Sequence, residues 1–121
     1  MATTLYNAEA LVAGTTMASA EITDVGNLSI DVDLAAIVNP NHSPIEFILK
    51  AHLGSNSYKV LRNYSTDPAE IIKGVVYNDG FRDVINGIDS EKVKLYVKVP
   101  TGVTGTMTVV YNKTVNAIPS A

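Results

Sequence analysis

The chain lacks both cysteine and tryptophan, and each absence restricts the functions that it can have. Without cysteine it has no disulfide framework, no thiolate zinc site and no cysteine nucleophile. This absence also fits a protein that is made in a reducing cytoplasm. The absence of tryptophan argues against an aromatic platform on which a sugar ring stacks.

Charge is scarce as well, at 17% of the residues, and no dense basic patch is present. The nine basic residues are scattered, and only Lys92, Lys94 and Lys98 cluster. Proteins that bind nucleic acids usually carry a denser positive footprint. We therefore expect no nucleic-acid partner.

Long apolar runs are missing too. No run approaches the length of a membrane span, and the opening MATTLYNAEALVAG has neither the basic start nor the continuous apolar core of a signal peptide. We expect no membrane association from these features.

No motif for catalysis or for a cofactor stands out. The two histidines, His42 and His52, have no spacing typical of a metal site, and we expect both to be solvated. Asp31 and Asp33 share one face of a strand and, with Glu46 on a neighbouring strand, could form an acidic patch for acid–base chemistry or calcium, but we expect a solvated sheet face opposite Lys50 or a similar residue. We expect a protein that is not an enzyme and that holds no metal or cofactor.

Alternating apolar and polar residues are the strongest pattern that the sequence does contain. In VKLYVKVPTGVTGTMTVVY, two alternating segments flank a Gly-containing turn, which predicts a β-hairpin with Val93, Leu95, Val97 and Val99 buried. NLSIDVDLAAIV predicts another strand, and IEFILKAHLGSNSYKVLRNY predicts a second hairpin with Tyr58 and Val60 on the core side.

These segments predict one all-β domain over residues 15–115. About seven or eight short strands, separated by turn residues, suggest an antiparallel β-sandwich, with an open barrel as the rival. STDPAEIIKG carries a helix-start signature at Asp67, Pro68 and Glu70, which predicts one short helix near 68–73. Residues 116–121 are expected to form a loose C-terminal tail.

Residues 1–14 follow neither the strand nor the helix period. They carry four apolar side chains that we expect to dock on a partner rather than on the domain, so the segment is predicted to be an N-terminal arm. Tyr96, on the polar face of its strand, is a further interface candidate. The predicted interface residues are Leu5, Tyr6, Leu11, Val12 and Tyr96.

The layout of MATTLYNAEALVAG, SAEITDVGNLSIDVDL, AHLGSNSYKVLR and VKLYVKVPTGVTGTMTVVYNKT resembles small structural proteins of tailed-phage virions, of the capsid decoration or auxiliary type. The resemblance implies a β-sandwich without an active site that binds the major capsid protein or other virion proteins, often as a homo-oligomer. It also implies a protein made in the host cytoplasm and located in the virion. A carbohydrate- or surface-binding β-sandwich module of a tail or adhesin is the alternative.

Overall fold

The computed structural model describes residues 2–41, 43–55, 57–65, 75–76 and 80–116. Within this part the fold is all-β and contains no helix. Nine strands follow in chain order: β1 (Thr3–Ala10), β2 (Thr15–Ala18), β3 (Ile22–Val38), β4 (Glu46–His52), β5 (Lys59–Ser65), β6 (Val75–Val76), β7 (Gly80–Ile85), β8 (Ser90–Val99) and β9 (Thr104–Val115).

The strands form one connected antiparallel sheet. Its main order is β1-β9-β3-β8-β4-β5, with β2 also paired to β8, and with β7 paired to β3 and β6. The prediction of an antiparallel all-β protein is therefore confirmed. The described part holds nine strands rather than seven or eight, and they are not all short, since β3 has 17 residues.

Strand β3 is long because its two parts pair with different neighbours. Its beginning, from Ile22 to Val25, pairs with β8, while Leu28–Asp33 lies between β7 and β9. The register shifts between these parts, beside Gly26. A Cβ on Gly26 would lie 2.4 Å from the carbonyl oxygen of Val115, so only glycine allows this close approach of two backbones.

The predicted hairpin of β8 and β9 is wrong, although both of its strands exist. β8 pairs with β2, β3 and β4, whereas β9 pairs with β1 and β3. The segment between them, which contains Pro100, connects β8 to β9 without pairing the two strands with each other. By contrast, β4 pairs with β5, so the second predicted hairpin is confirmed.

Apolar side chains from nearly all the described strands meet in one core. Along β8 and β3 the buried residues alternate with exposed or half-buried ones, as the sequence predicts. Phe81 of β7 packs edge-on against Phe47 of β4 at 5.3 Å between ring centroids, and lies 4.2 Å from Tyr64 of β5. These strands do not pair with β7, so the aromatic contacts connect distant parts of the sheet.

The N-terminal segment is not a separate arm. Residues Thr3–Ala10 form β1, which pairs with β9 from Thr3↔Tyr111 to Ala10↔Thr106. The segment looks irregular in sequence because the register shifts twice, and because Ala8 has a positive φ of 47° at the second shift. The sheet thus starts before residue 15 and runs from Thr3 to Val115.

Several predictions concern residues outside the described part. They are the short helix near 68–73, residues 117–121 of the predicted tail, and the solvated His42. Asn116 is described, and its N–H donates a hydrogen bond to the carbonyl of Asp24 at 3.0 Å.

Candidate functional site

The five predicted interface residues fall into two separate places. Leu5 and Tyr6 are half-buried on β1, where they pack against the core. Leu11 is only 6% exposed and belongs to the core, whereas its neighbour Val12 is 51% exposed. Tyr96 lies on β8, paired with Ala18 of β2 and Ile48 of β4. No strand pairing joins Tyr96 to the N-terminal four.

Tyr96 is at the centre of a surface that we call the β4–β8 face. β4 and β8 run antiparallel in continuous register, and alternate residues of both strands are buried in the core. The residues between them therefore point to the opposite side of the sheet. They are Glu46, Ile48, Lys50 and His52 on β4, and Lys92, Lys94, Tyr96 and Lys98 on β8.

The ring of Tyr96 lies beneath two ammonium groups. The Nζ of Lys50 is 4.7 Å from the ring centroid, and the Nζ of Lys94 is 5.8 Å from the same centroid. Both distances are within the range of a cation–π interaction. Lys50 and Lys94 are also directly opposite each other on the paired strands. Like charges at opposite positions repel each other. The two ammonium groups also make the electrostatic potential at this part of the face positive.

Tyr58 extends the β4–β8 face toward the start of β3. Its hydroxyl donates a hydrogen bond to Oε2 of Glu21, and Glu21 Oε1 lies 3.8 Å from the Nζ of Lys92. The Tyr58 ring stacks at a tilt on His52, 4.6 Å between centroids, and the Nζ of Lys94 is 6.0 Å from its centroid. The prediction that Tyr58 and Val60 are on the core side is wrong, since Tyr58 makes these contacts and Val60 is 59% exposed.

The contacts of Tyr58 lead to a pH-dependent prediction. Burial, followed by the hydrogen bond to Glu21, raises the pKa of Tyr58 to about 12 from its ordinary value of 10.0. The raised folded-state pKa means that folding favours the neutral phenol. Its contribution to stability is therefore complete below about pH 10 and is lost as the pH rises toward about 12. In a near-ultraviolet absorbance titration, Tyr58→Phe should remove a component with a midpoint near pH 12.

The control for this titration is Glu21→Gln, which removes the carboxylate and should move the same component to lower pH. A component that disappears in Tyr58→Phe but has an ordinary midpoint near pH 10 in the unaltered chain would contradict the hydrogen bond to Glu21.

His52 is less exposed than the sequence predicts. It is half-buried, and its Nδ1 is buried without a hydrogen-bond partner among the described residues. Its backbone carbonyl accepts a hydrogen bond from the hydroxyl of Ser90. The expectation of a solvated histidine is therefore wrong for His52, because Tyr58 covers its ring.

Asp31 and Glu46 do not come together in an acidic patch. Asp31 belongs to the part of β3 between β7 and β9, whereas Glu46 is on β4, which pairs with β5 and β8. Arg82 binds Asp31 Oδ2 through Nε at 3.0 Å and Nη2 at 2.7 Å. Glu46 instead pairs with Lys98 at 3.4 Å. Each of these two carboxylates has a cationic partner of its own.

A second surface feature lies on the other part of the sheet. It is a depression of about 340 Å³. Arg82 and Asp31 line it together with Ala2, which precedes β1, and with residues of β3 and β9, namely Ser29, Ile30, Val110, Tyr111 and Asn112. The depression therefore combines a charged pair with hydroxyl and amide groups.

Within the described residues, no three histidine, aspartate or glutamate side chains are placed to hold a metal ion together. The same part of the chain has no helix that is long and apolar enough to cross a membrane.

Sequence reasoning identified Tyr96 but missed its neighbours Lys50, Lys94 and Tyr58. Their polar positions on two alternating strands were visible, but the pairing of β8 with β4 was not. Comparison of the chain with models of protein families, with curated proteins and with solved structures finds no match.

Proposed function

We propose that this chain is a non-enzymatic structural protein of a virion, of the capsid decoration or auxiliary type. It binds the major capsid protein or other virion proteins, assembles as a homo-oligomer, and takes no nucleic acid or membrane as partner. The β4–β8 face is the observation that carries this proposal. Tyrosine is enriched at protein–protein interfaces, and here the half-buried Tyr96 lies on a pair of strands in continuous register.

The rigidity of this face supports a docking role. Tyr96 is fixed from below by a fully buried row, since Val93, Leu95 and Val97 are each 0% exposed. Because the two strands are paired without a register shift, their backbone loses little conformational entropy on binding. A surface of this kind can present the same side chains to every site of a lattice.

We also propose that the connected sheet folds into a β-sandwich. One layer would contain β1, β9, the later part of β3, β7 and β6, and the other would contain β2, the start of β3, β8, β4 and β5. The contacts of Phe81 with Phe47 and Tyr64 support this arrangement, since they join strands that share no hydrogen-bonded pairing. Facing layers of this kind enclose a core of alternating side chains.

The functional proposal is tested on particles. Virions isolated on a density gradient from cells that produce the chain should contain it, in the same fractions as the major capsid protein. Tyr96→Ala should reduce its amount in those fractions, because the substitution removes the ring at the centre of the β4–β8 face. Val84→Ala is the matched control, since Val84 is 58% exposed on β7 and should leave incorporation unchanged.

A chain that never enters the particle fractions would overturn the virion proposal. Equal incorporation of Tyr96→Ala and the unaltered chain would place the docking surface elsewhere.

The depression at Arg82 favours a second candidate function, the binding of a carbohydrate by a tail or adhesin module. Its hydroxyl, amide and charged groups are suited to hydrogen bonds with a sugar, and Tyr111 adds an aromatic ring. Saturable binding on a glycan array that is lost in Arg82→Ala would support this alternative over capsid docking.

A further inference from the structure

We propose that Lys50 and Lys94 bind the carboxylates of an acidic segment on the partner protein. This inference rests on the proposed docking role of the β4–β8 face and specifies the chemistry of its partner. The two ammonium groups are the groups that contact the acidic segment, and the rings of Tyr96 and Tyr58 hold them in place.

The placement of the two lysines is costly for the isolated chain. They occupy opposite positions on paired strands, where like charges are unfavourable. The Nζ of Lys94 lies 6.0 Å from the Tyr58 centroid and 5.8 Å from the Tyr96 centroid, so its ammonium is near the faces of two rings. An anion bound between Lys50 and Lys94 would remove the repulsion and would keep both cation–π contacts.

The acidic residues around the face leave these two lysines available. Among the residues that the structure describes, Glu21 pairs with Lys92 and Glu46 pairs with Lys98. The ion pairs found in that part of the chain include neither Lys50 nor Lys94. Ion pairs thus neutralise the lysines at the two ends of the face, whereas the two central lysines form no ion pair among the described residues and Lys94 is attracted by Glu21 only at longer range.

The composition of the face favours a protein partner over a nucleic acid. A protein that follows a nucleic-acid backbone commonly neutralises about 6–10 phosphates. The β4–β8 face carries four lysines, and two of them are already paired with glutamates. Ile48 lies opposite Tyr96, and exposed Val60 lies opposite Lys50, so apolar surface borders the cations. A few carboxylates on an apolar protein surface match this arrangement.

The face is also a poor match for a neutral sugar. A sugar that stacks on tyrosine needs an open ring, and the Nζ atoms of Lys50 and Lys94 already lie over the ring of Tyr96. The recognised chemistry is therefore a pair of anionic oxygens rather than an apolar sugar face.

The test is a titration of the full chain with a short polyglutamate peptide, monitored by tyrosine fluorescence and by NMR signals of the Tyr58 and Tyr96 rings. We expect saturable binding that weakens as salt rises. Lys50→Gln combined with Lys94→Gln should weaken binding about ten-fold, since two exposed ion pairs together contribute about that much. Lys50→Arg combined with Lys94→Arg keeps both charges and should retain binding.

A matched control removes the same charge elsewhere. Lys59→Gln combined with Lys113→Gln changes two exposed lysines on β5 and β9 and should leave the affinity nearly unchanged. An equal loss in this control would show that net charge alone attracts the peptide, which would overturn the proposal. Tighter binding of duplex DNA, or of an acidic oligosaccharide, than of polyglutamate would overturn it as well.

The titration tests the acidic-segment inference and the particle experiment tests the virion role, so a negative result in one leaves the other proposal standing. If the chain co-migrates with capsids but shows no affinity for polyglutamate, the acidic-segment inference is wrong and the virion role stands. If polyglutamate binds at the two lysines but the chain never enters particles, the virion role is wrong and the acidic-segment inference stands.

Discussion

Val97→Asp is expected to unfold the domain. Val97 is 0% exposed on β8 and is paired on both sides, with Met17 of β2 and with Phe47 of β4. An ionised carboxylate placed there has no cationic partner and loses its hydration. The cost is several kcal/mol, comparable with the total stability of about 5–15 kcal/mol that is typical of a small domain. Circular dichroism and thermal melting should show loss of the cooperative transition.

Lys98→Asp provides the matched control, one residue further along the same strand. Lys98 is exposed and pairs with Glu46 at 3.4 Å, so the substitution removes this ion pair and puts two carboxylates opposite each other. Both effects act in water and should cost less than about 1 kcal/mol. Similar melting curves for the two variants would contradict the assignment of the faces of β8.

The same alternation explains why so much of the fold could be predicted. In β3, the side chains of Leu28, Ile30 and Val32 are buried while Asp31 and Asp33 are not. Successive side chains of a strand point to opposite faces of the sheet. A strand that buries one face therefore shows alternating apolar and polar residues in its own sequence. The buried face of each regular strand is a local property, and local properties are readable from one sequence.

Strand pairing is not local, and the predictions failed there. β8 and β9 both alternate strongly and are joined by a short turn, which is also the pattern of a hairpin. Nothing in either strand records that β8 pairs with β4 and β9 with β1. Whether Asp31, Asp33 and Glu46 meet could not be read from the sequence for the same reason, because it depends on whether β3 and β4 are neighbours. The β4–β8 face was missed as a unit because its residues come from two strands and a loop.

Bulges caused two further errors, the facing of Val60 and the description of residues 1–14 as an arm. The register of β4 and β5 shifts between Leu49 and Lys50, and this shift sends Val60 outward. The two shifts in β1, one beside Ala8, disrupt the alternation that would have identified a strand. An extra residue in a strand exchanges the buried and exposed faces for every residue after it. Assigning faces by alternate positions therefore fails across a bulge.

Two adjacent residues directly after β1, Leu11 and Val12, differ sharply in burial and should respond differently to substitution. Leu11 is 6% exposed within the core, and its N–H donates to the carbonyl of Gly105 at 2.9 Å, whereas Val12 is 51% exposed. Leu11→Ala should destabilise the domain by about 2–5 kcal/mol, because it removes buried apolar volume and leaves a cavity. For a domain of this size, a loss of about 3 kcal/mol lowers the melting temperature by roughly 10 °C.

Val12→Ala should change stability by less than about 0.5 kcal/mol, since it alters an exposed side chain. If Val12 contributes to an interface, Val12→Ala should reduce assembly instead of stability. This effect is measured as incorporation into particles at a temperature where both variants are folded. A Leu11→Ala variant that melts like the unaltered chain would mean that the segment after β1 does not pack in the core. The predicted arm would then be the better description of residues 1–14. A large melting loss in Leu11→Ala with none in Val12→Ala would establish that the chain uses Leu11 to fold and leaves only Val12, of this adjacent pair, free for a partner.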